Sequence, residues 1–470
     1  MTTADGAVPG LFAGRRRFLV LGAGGLAAAA GGVGIWRLFD SGVAQWPWKQ
    51  VWSKPLDGLY PSTLSAHAGV LYLSGLGGLT AVEQSGGRTR WQALPGLTSQ
   101  SAPAFGAGVV CIAGVRTDGR AVVNGLATSS GRVLWEREID GANQYALTPA
   151  GNVMLVVTGE VSLVSETVVH ALDTESGRTR WRTQLPAKTV GPSTPVTGNG
   201  LVHLTSGVSD VESTGSMAWA LDLATGALRW KFPSEGFLGD PVLAGRELHI
   251  TAIPSGAGAD QRHNALITLD AVSGKVLRRA GNLPVGTESS IQRVGGTLYA
   301  SVRRHGDQYR STLVAIDAST GRVRWQSDTD IDLVRTPLLV SGDTVVAGGN
   351  KFPELSGSYV VQVFDAATGH RRWSRDMGTQ VSSKGPVLAD GTVCVPTRAT
   401  KYTDQGTLTF LDSASGDRRW QRPLTANGDA IAYQDGRTLY VLAQPFPGPQ
   451  GKTLDNQHGA TLYALRRENS

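Results

Sequence analysis

With 61 glycines in 470 residues, the chain suits a fold that turns every ten residues or so. The net charge of +6 is spread over turns, in pairs such as Arg303-Arg304 and Arg371-Arg372, with no continuous basic tract. Nucleic-acid binding is therefore not supported.

Residues 1–45 read as an export segment. An arginine cluster at Arg15, Arg16 and Arg17 precedes a weakly apolar Ala/Gly run, residues 18–36, and then a small-residue site at Gly42-Val43-Ala44. Arg15, Arg16, Phe18 and Leu19 match the twin-arginine form, with Gly14 where Ser or Thr is usual. The glycines make the run poorly hydrophobic, so cleavage after Ala44 is favoured. If retained, residues 18–36 are long enough to anchor the chain to the membrane. Either route leaves the arginine end inside and the rest extracytoplasmic, secreted or held at the outer face of the cytoplasmic membrane.

Residues 46–470 begin with "KQVWSKPL", a Trp-bearing strand with nothing before it to pair with. One phrase then recurs. "VHALDTESGRTRW", "WALDLATGALRW", "LVAIDASTGRVRW", "VQVFDAATGHRRW" and "LTFLDSASGDRRW" are the clear copies. Weaker ones end at Trp91 and Trp135, with Glu83 and Ala127 in the Asp place, and at Arg278, which replaces the Trp. From Trp52 the successive positions Trp91, Trp135, Trp181, Trp230, Arg278, Trp325, Trp373 and Trp420 lie 39 to 49 residues apart. That spacing holds about four short strands with their turns.

Within the phrase, an apolar run such as Leu313 to Ile316 gives a strand buried on both faces. Asp317 accepts backbone N–H groups across the turn, and Gly321 supplies a conformation that costs other residues roughly 1 kcal/mol or more. The Trp starts the returning strand and lays its ring on the neighbouring unit. Trp52, Trp91, Trp135, Trp181, Trp230, Trp325, Trp373 and Trp420 are thus docking residues. The unit ending at Arg278 lacks this device and should tolerate Ala there.

Upstream of each phrase, pairs of apolar runs joined by a Gly turn, such as "GPVLADGTVCVP", supply two more strands. Four-stranded units repeated radially make an all-β fold, a single β-propeller. Counting third strands gives nine blades, or eight if the short unit ending at Trp91 forms none. The last copy stops before a Trp strand, so the N-terminal strand is expected to close the ring.

The phrases "ALDTESGRTRW" and "AIDASTGRVRW" resemble the pyrroloquinoline-quinone-type propeller repeat. It is found in quinoprotein dehydrogenases, in the outer-membrane assembly propeller lipoprotein and in kinase-associated sensor propellers. The resemblance covers about residues 46–470 and implies the fold, usually with eight blades. For an enzyme it would imply a vicinal cysteine pair over the quinone, a Glu and an Asn or Asp around calcium, and an Asp base. Cys111 and Cys394 are far apart, on second strands of distant blades, and read as buried fillers. The eight histidines are scattered singly, without metal-ligand spacing. No cofactor, metal or catalytic residue is expected.

Function is then a matter of binding an envelope protein or a polar ligand, by a monomer acting as scaffold or receptor. A quinoprotein oxidoreductase with degenerate motifs is the alternative. Long second-to-third-strand loops, for example residues 254–265 and 444–459, are one candidate surface. The other is the mouth of the central channel, where Gln100, Thr194, Asp240, Glu288, Arg335, Lys384 and Asp429 fall at or near the start of the innermost strands.

Overall fold

The computed structural model describes residues 48–468 except 57–58, 95, 140–143, 160–164, 210–213, 254–263, 284–290, 304–310, 334–337, 352–357, 379–384, 398–405, 425–429 and 445–459. Residues 1–45, expected to be an export segment, and most of each long loop lie outside the described residues. Among the described residues the regular elements are all antiparallel strands, in eight sheets of which one carries two four-stranded units. That makes nine blades. Blade 1 consists of Tyr60–His67, Val70–Leu76, Gly78–Glu83 and Thr89–Ala93, so the short unit ending at Trp91 is a full blade.

Blades 2 to 8 occupy residues 97–138, 144–190, 196–234, 237–283, 291–328, 331–376 and 387–423. Blade 9 joins Ala430–Asp435, Thr438–Ala443 and Ala460–Arg467 to the N-terminal strand Trp48–Leu56. Trp48 stands opposite Arg467 and Leu56 opposite Ala460, so each strand satisfies backbone groups that the other would leave bare. Inner strands of neighbouring blades touch around the ring, including blade 8 with 9 and blade 9 with 1.

Second and third strands are buried on both faces, as their unbroken apolar runs require: Val109–Arg116 and Ser311–Asp317 each have six successive buried residues. The phrases of blades 3, 4, 6, 7 and 8 then close in the same way. In blade 4, Asp222 Oδ1 accepts from the Ala224 and Thr225 N–H groups at 3.0 and 2.9 Å, and Oδ2 accepts from Arg229 Nη2 at 2.7 Å. Arg180, Arg324, Arg372 and Arg419 repeat that second contact to Asp173, Asp317, Asp365 and Asp412. The arginine partner and the turn hydroxyl hold Asp173, Asp222 and Asp365 at about 2. Blade 1 keeps the contact with Glu83 and Arg90, at 3.3 Å, whereas blade 2 has Ala127 and Leu134 at these places and lacks it. Blade 5 keeps Asp270 but has Leu277 for the Arg, and Arg246 from the preceding hairpin turn takes over at 2.5 Å.

Docking between blades uses one carbonyl per seam, that of the residue after the Asp place. Trp52, Trp91, Trp135, Trp181, Trp230, Trp325 and Trp373 donate Nε1 to Gln84, Thr128, Thr174, Leu223, Ala271, Ala366 and Ser413 at 2.9 to 3.0 Å. Trp420 packs on Phe410, its cross-strand partner in blade 8, ring centroids 5.1 Å apart, and the last blade has Arg466 in the Asp place. Arg278 is no gap. Its Nη2 donates to Ala318 O at 2.9 Å and to Glu247 Oε1 at 2.6 Å, so it makes the Trp's hydrogen bond with a different side chain, and the expectation that Ala is tolerated there is corrected.

Cross-strand register adds a second member to each docking row. Opposite the Trp row, the second strands contribute Tyr72, Cys111, Leu155, His203, His249, Tyr299, Val346, Cys394 and Tyr440. Tyr299 Oη donates to the Ala366 carbonyl that Trp325 also uses. The two cysteines hold the same row position in blades 2 and 8, both free and fully buried, and burial pushes the Cys111 thiol up to about 12.

Candidate functional site: the kinked inner strands at the channel mouth

Proline interrupts the inner strand in blades 2, 4 and 5. The breaks contain Pro103, the pair Pro192 and Pro195, and Pro241, which cannot donate to the ladder. Two residues before the last proline of each break, one N–H still pairs: Ser101 with Ala113 O at 2.7 Å, Ser193 with Thr205 O at 2.8 Å and Gly239 with Thr251 O at 2.9 Å. The Ser101 and Ser193 hydroxyls accept the returning N–H of Ala113 and Thr205 at 3.0 and 2.9 Å. Side chain replaces backbone where proline has broken the ladder.

The neighbouring blade then ties the kink down. Ser74 Oγ donates to Ser101 O at 3.0 Å, Thr205 Oγ1 to Gly239 O at 3.1 Å and Thr148 Oγ1 to Pro195 O at 3.3 Å. What these bonds leave outside is the residue just before the proline: Ala102, Thr194 and Asp240, all exposed. The structure therefore brings Thr194 and Asp240 to equivalent places. Gln100 is two residues further back, in the strand Leu97–Gln100 and paired with Gly114, and Ala102 holds the equivalent position. Glu288, Arg335, Lys384 and Asp429 lie outside the described residues.

Asp240 is open to solvent, yet the protein crowding around it raises its carboxyl above the ordinary range. The two facts fit a concave mouth, where a group keeps a solvent-facing surface while most of its surroundings are protein. A carboxyl in such a place is ready to accept from a ligand's N–H or cationic group, because that contact offsets the desolvation it already bears.

Other chemistry-bearing residues are arranged differently. Ser327, Asp328, Gly369, His370 and Arg371 line an open cleft at the outer strands of blades 6 and 7, away from the inner strands. Among the described residues no group of three or more His, Cys, Asp or Glu is placed to hold a metal ion. Two of the three buried histidines among the described residues, His203 and His249, isolated in the sequence, share the docking rows with Trp230 and Arg278. Sequence reading missed this because the second strands carry no recurring phrase.

The comparisons with known proteins bear on fold and family. The family model described as outer membrane protein assembly factor BamB matches residues 75–166, 165–304 and 269–440. No curated protein matches the chain. Among solved structures, BamB from Moraxella catarrhalis is 15% identical, with a TM-score of 0.50 over 89% of this chain and 99% of its own. The quinohemoprotein alcohol dehydrogenases of Pseudomonas putida HK5 and Comamonas testosteroni are each 13% identical, with TM-scores of 0.52 over 90% of this chain and 77% of theirs. At these identities the likeness is one of fold, shared by BamB and by alcohol dehydrogenases. With a family match spanning most of the propeller, the chain belongs to the pyrroloquinoline-quinone-type propeller family described as outer membrane protein assembly factor BamB.

Proposed function

We propose that the protein is an exported, non-catalytic propeller that binds a protein partner or a polar ligand at the cell envelope through the mouth of its channel. The family match carries this reading, since the family is described as an assembly factor of the outer membrane. The exposed Thr194 and Asp240, held at equivalent kinks, support the mouth as the contact surface. The twin-arginine segment, residues 1–45, would deliver the propeller, residues 46–470, to that compartment. Against an enzyme stands the separation of Cys111 and Cys394, in blades 2 and 8, where quinone enzymes of this fold place a vicinal pair.

The test is capture from envelope extract by the tagged full chain, beside Asp240→Lys and Arg335→Glu. Capture should be lost in both variants while melting is unchanged, as both alter exposed or strand-preceding charge. Capture that survives both changes but is lost on shortening residues 445–458 would move the contact surface to the outer loops. Pyrroloquinoline quinone with calcium should not shift the melting temperature, and a clear shift would restore the oxidoreductase reading.

A further inference from the structure

Blade 5 has a fully buried histidine on the docking row of each of its two seams. On the side of blade 4, His203 Nε2 lies 2.9 Å from Ala271 O, the blade 5 carbonyl that also takes Trp230 Nε1 at 3.0 Å. On the side of blade 6, His249 Nδ1 lies 3.0 Å from Thr268 Oγ1, and Nε2 makes no hydrogen bond. Both residues have 0% of their surface exposed. In the other seams the corresponding residue is tyrosine, cysteine, leucine or valine, none of which gains charge in mild acid.

We propose that blade 5 is an acid-opened element of the ring: protonation of His203 and His249 weakens both of its seams, so mild acid loosens blade 5 while the other seams hold.

An imidazolium is a donor at both nitrogens. His203 Nδ1 lies by the Val196 backbone without a well-formed hydrogen bond, and its other neighbour is the Trp230 ring, 5.7 Å away between centroids. Among the described residues the anion beside His249 is Glu247, with Oε2 at 3.6 Å from Nε2. That carboxylate is already engaged by Arg278, and the Arg278 and Arg293 guanidiniums both oppose a second positive charge. Burial is the main influence on both rings; it lowers His203 and brings His249 to about 4. The sign follows. A histidine whose folded value lies below its unfolded value of 6.5 binds more protons once released, so stability complete above pH 6.5 is lost as pH falls towards 4. At pH 5, His249 alone favours the open form by roughly ten- to thirtyfold.

The experiment is hydrogen exchange of the full chain at pH 7.5 and 5.0, followed by mass spectrometry, with rates corrected for the intrinsic pH effect. Peptides from Glu247–Ile253, Asn264–Asp270 and Val276–Leu283 should lose protection about tenfold or more relative to blades 1 and 8. His249→Gln and His203→Gln should each remove part of that loss. Unchanged blade 5 protection, loss spread equally over all blades, or full loss retained in both variants overturns the proposal. Should a variant not fold, a histidine-ring NMR titration of the native protein decides: both rings must titrate well below 6.5, and ordinary titration of either overturns it.

Discussion

Gly226 lies directly under the ring of Trp181: a Cβ built on it would sit 2.5 Å from Trp181 Cε3, while Trp181 Nε1 donates to Leu223 O at 2.9 Å three residues earlier. The same glycine has φ +74, so it answers two demands, one from its own turn and one from the preceding blade. Gly321 answers only the first. Its φ is +71, but Arg278 replaces the Trp above it and the nearest atom to an added Cβ is Ala280 Cβ at 3.5 Å.

The contrast gives a paired prediction. Gly321→Ala should cost roughly 1 kcal/mol, the backbone strain alone. Gly226→Ala should cost about 2 to 4 kcal/mol because overpacking against Trp181 is added. Trp181→Ala should cost about 3 to 5 kcal/mol as a buried aromatic truncation. Denaturant unfolding of the three variants measures all of this; equal losses for the two glycines would remove the docking role from the Trp.

Arg278→Ala should destabilise by about 2 to 3 kcal/mol, since it strips the Ala318 carbonyl of its donor and leaves Glu247 without its cation in a half-buried seam. Arg278→Lys should recover only part, because one ammonium cannot reproduce the guanidinium fork. A neutral Arg278→Ala in thermal melting would return this position to the status of a vacancy.

How these positions could be read in the sequence depended on whether the chemistry recurs. Asp222, Gly226 and Trp230 repeat their types in unit after unit, so turn, strand and docking face follow from the phrase itself. Tyr72, Cys111, His203 and Tyr440 occupy one row position with three chemistries, and only pairing with the neighbouring strand reveals that they correspond. Arg278 was legible as a departure but not as a replacement, because its partner, Ala318 O, belongs to the next blade. The Pro starts marked the kinks beside Thr194 and Asp240. The two-residue offset of Gln100 from Ala102 depends on how Ser101 bonds to Ala113, which no spacing states.

Ring closure depends on the Trp48–Leu56 strand. Deleting residues 46–56 would bare the Ala460–Arg467 edge and remove Trp52 Nε1 from Gln84 O, one of the links between blades 9 and 1. Stability should fall by several kcal/mol, or the protein should aggregate through the open edge. Melting and light scattering check it; an unaltered, monomeric variant is incompatible with the closure seen here.

Export should depend on the arginines as arginines. Replacing Arg15, Arg16 and Arg17 with Lys keeps the charge and the apolar run, so a general export route would still accept the chain, whereas a twin-arginine route would not. Cell fractionation of the triple variant should find the protein inside. Normal export would assign the general route.

Below the histidine range, the turn aspartates should produce a second acid transition. Arg180, Arg229 and Arg372 with their turn hydroxyls hold Asp173, Asp222 and Asp365 at about 2, against 3.8 for a free side chain, and Arg246 with Ser273 does the same for Asp270. Because the folded values are depressed, the unfolded chain binds more protons between them. The stabilisation is complete above about pH 4 and is lost as pH falls through about 2. Melting temperature should therefore fall again between pH 4 and 2, less steeply in high salt because these pairs face solvent. Asp222→Asn should flatten that lower limb without touching the limb between pH 6.5 and 4, which belongs to His203 and His249. A single transition, or a lower limb unchanged in Asp222→Asn, would show that the turn carboxylates do not couple protons to folding.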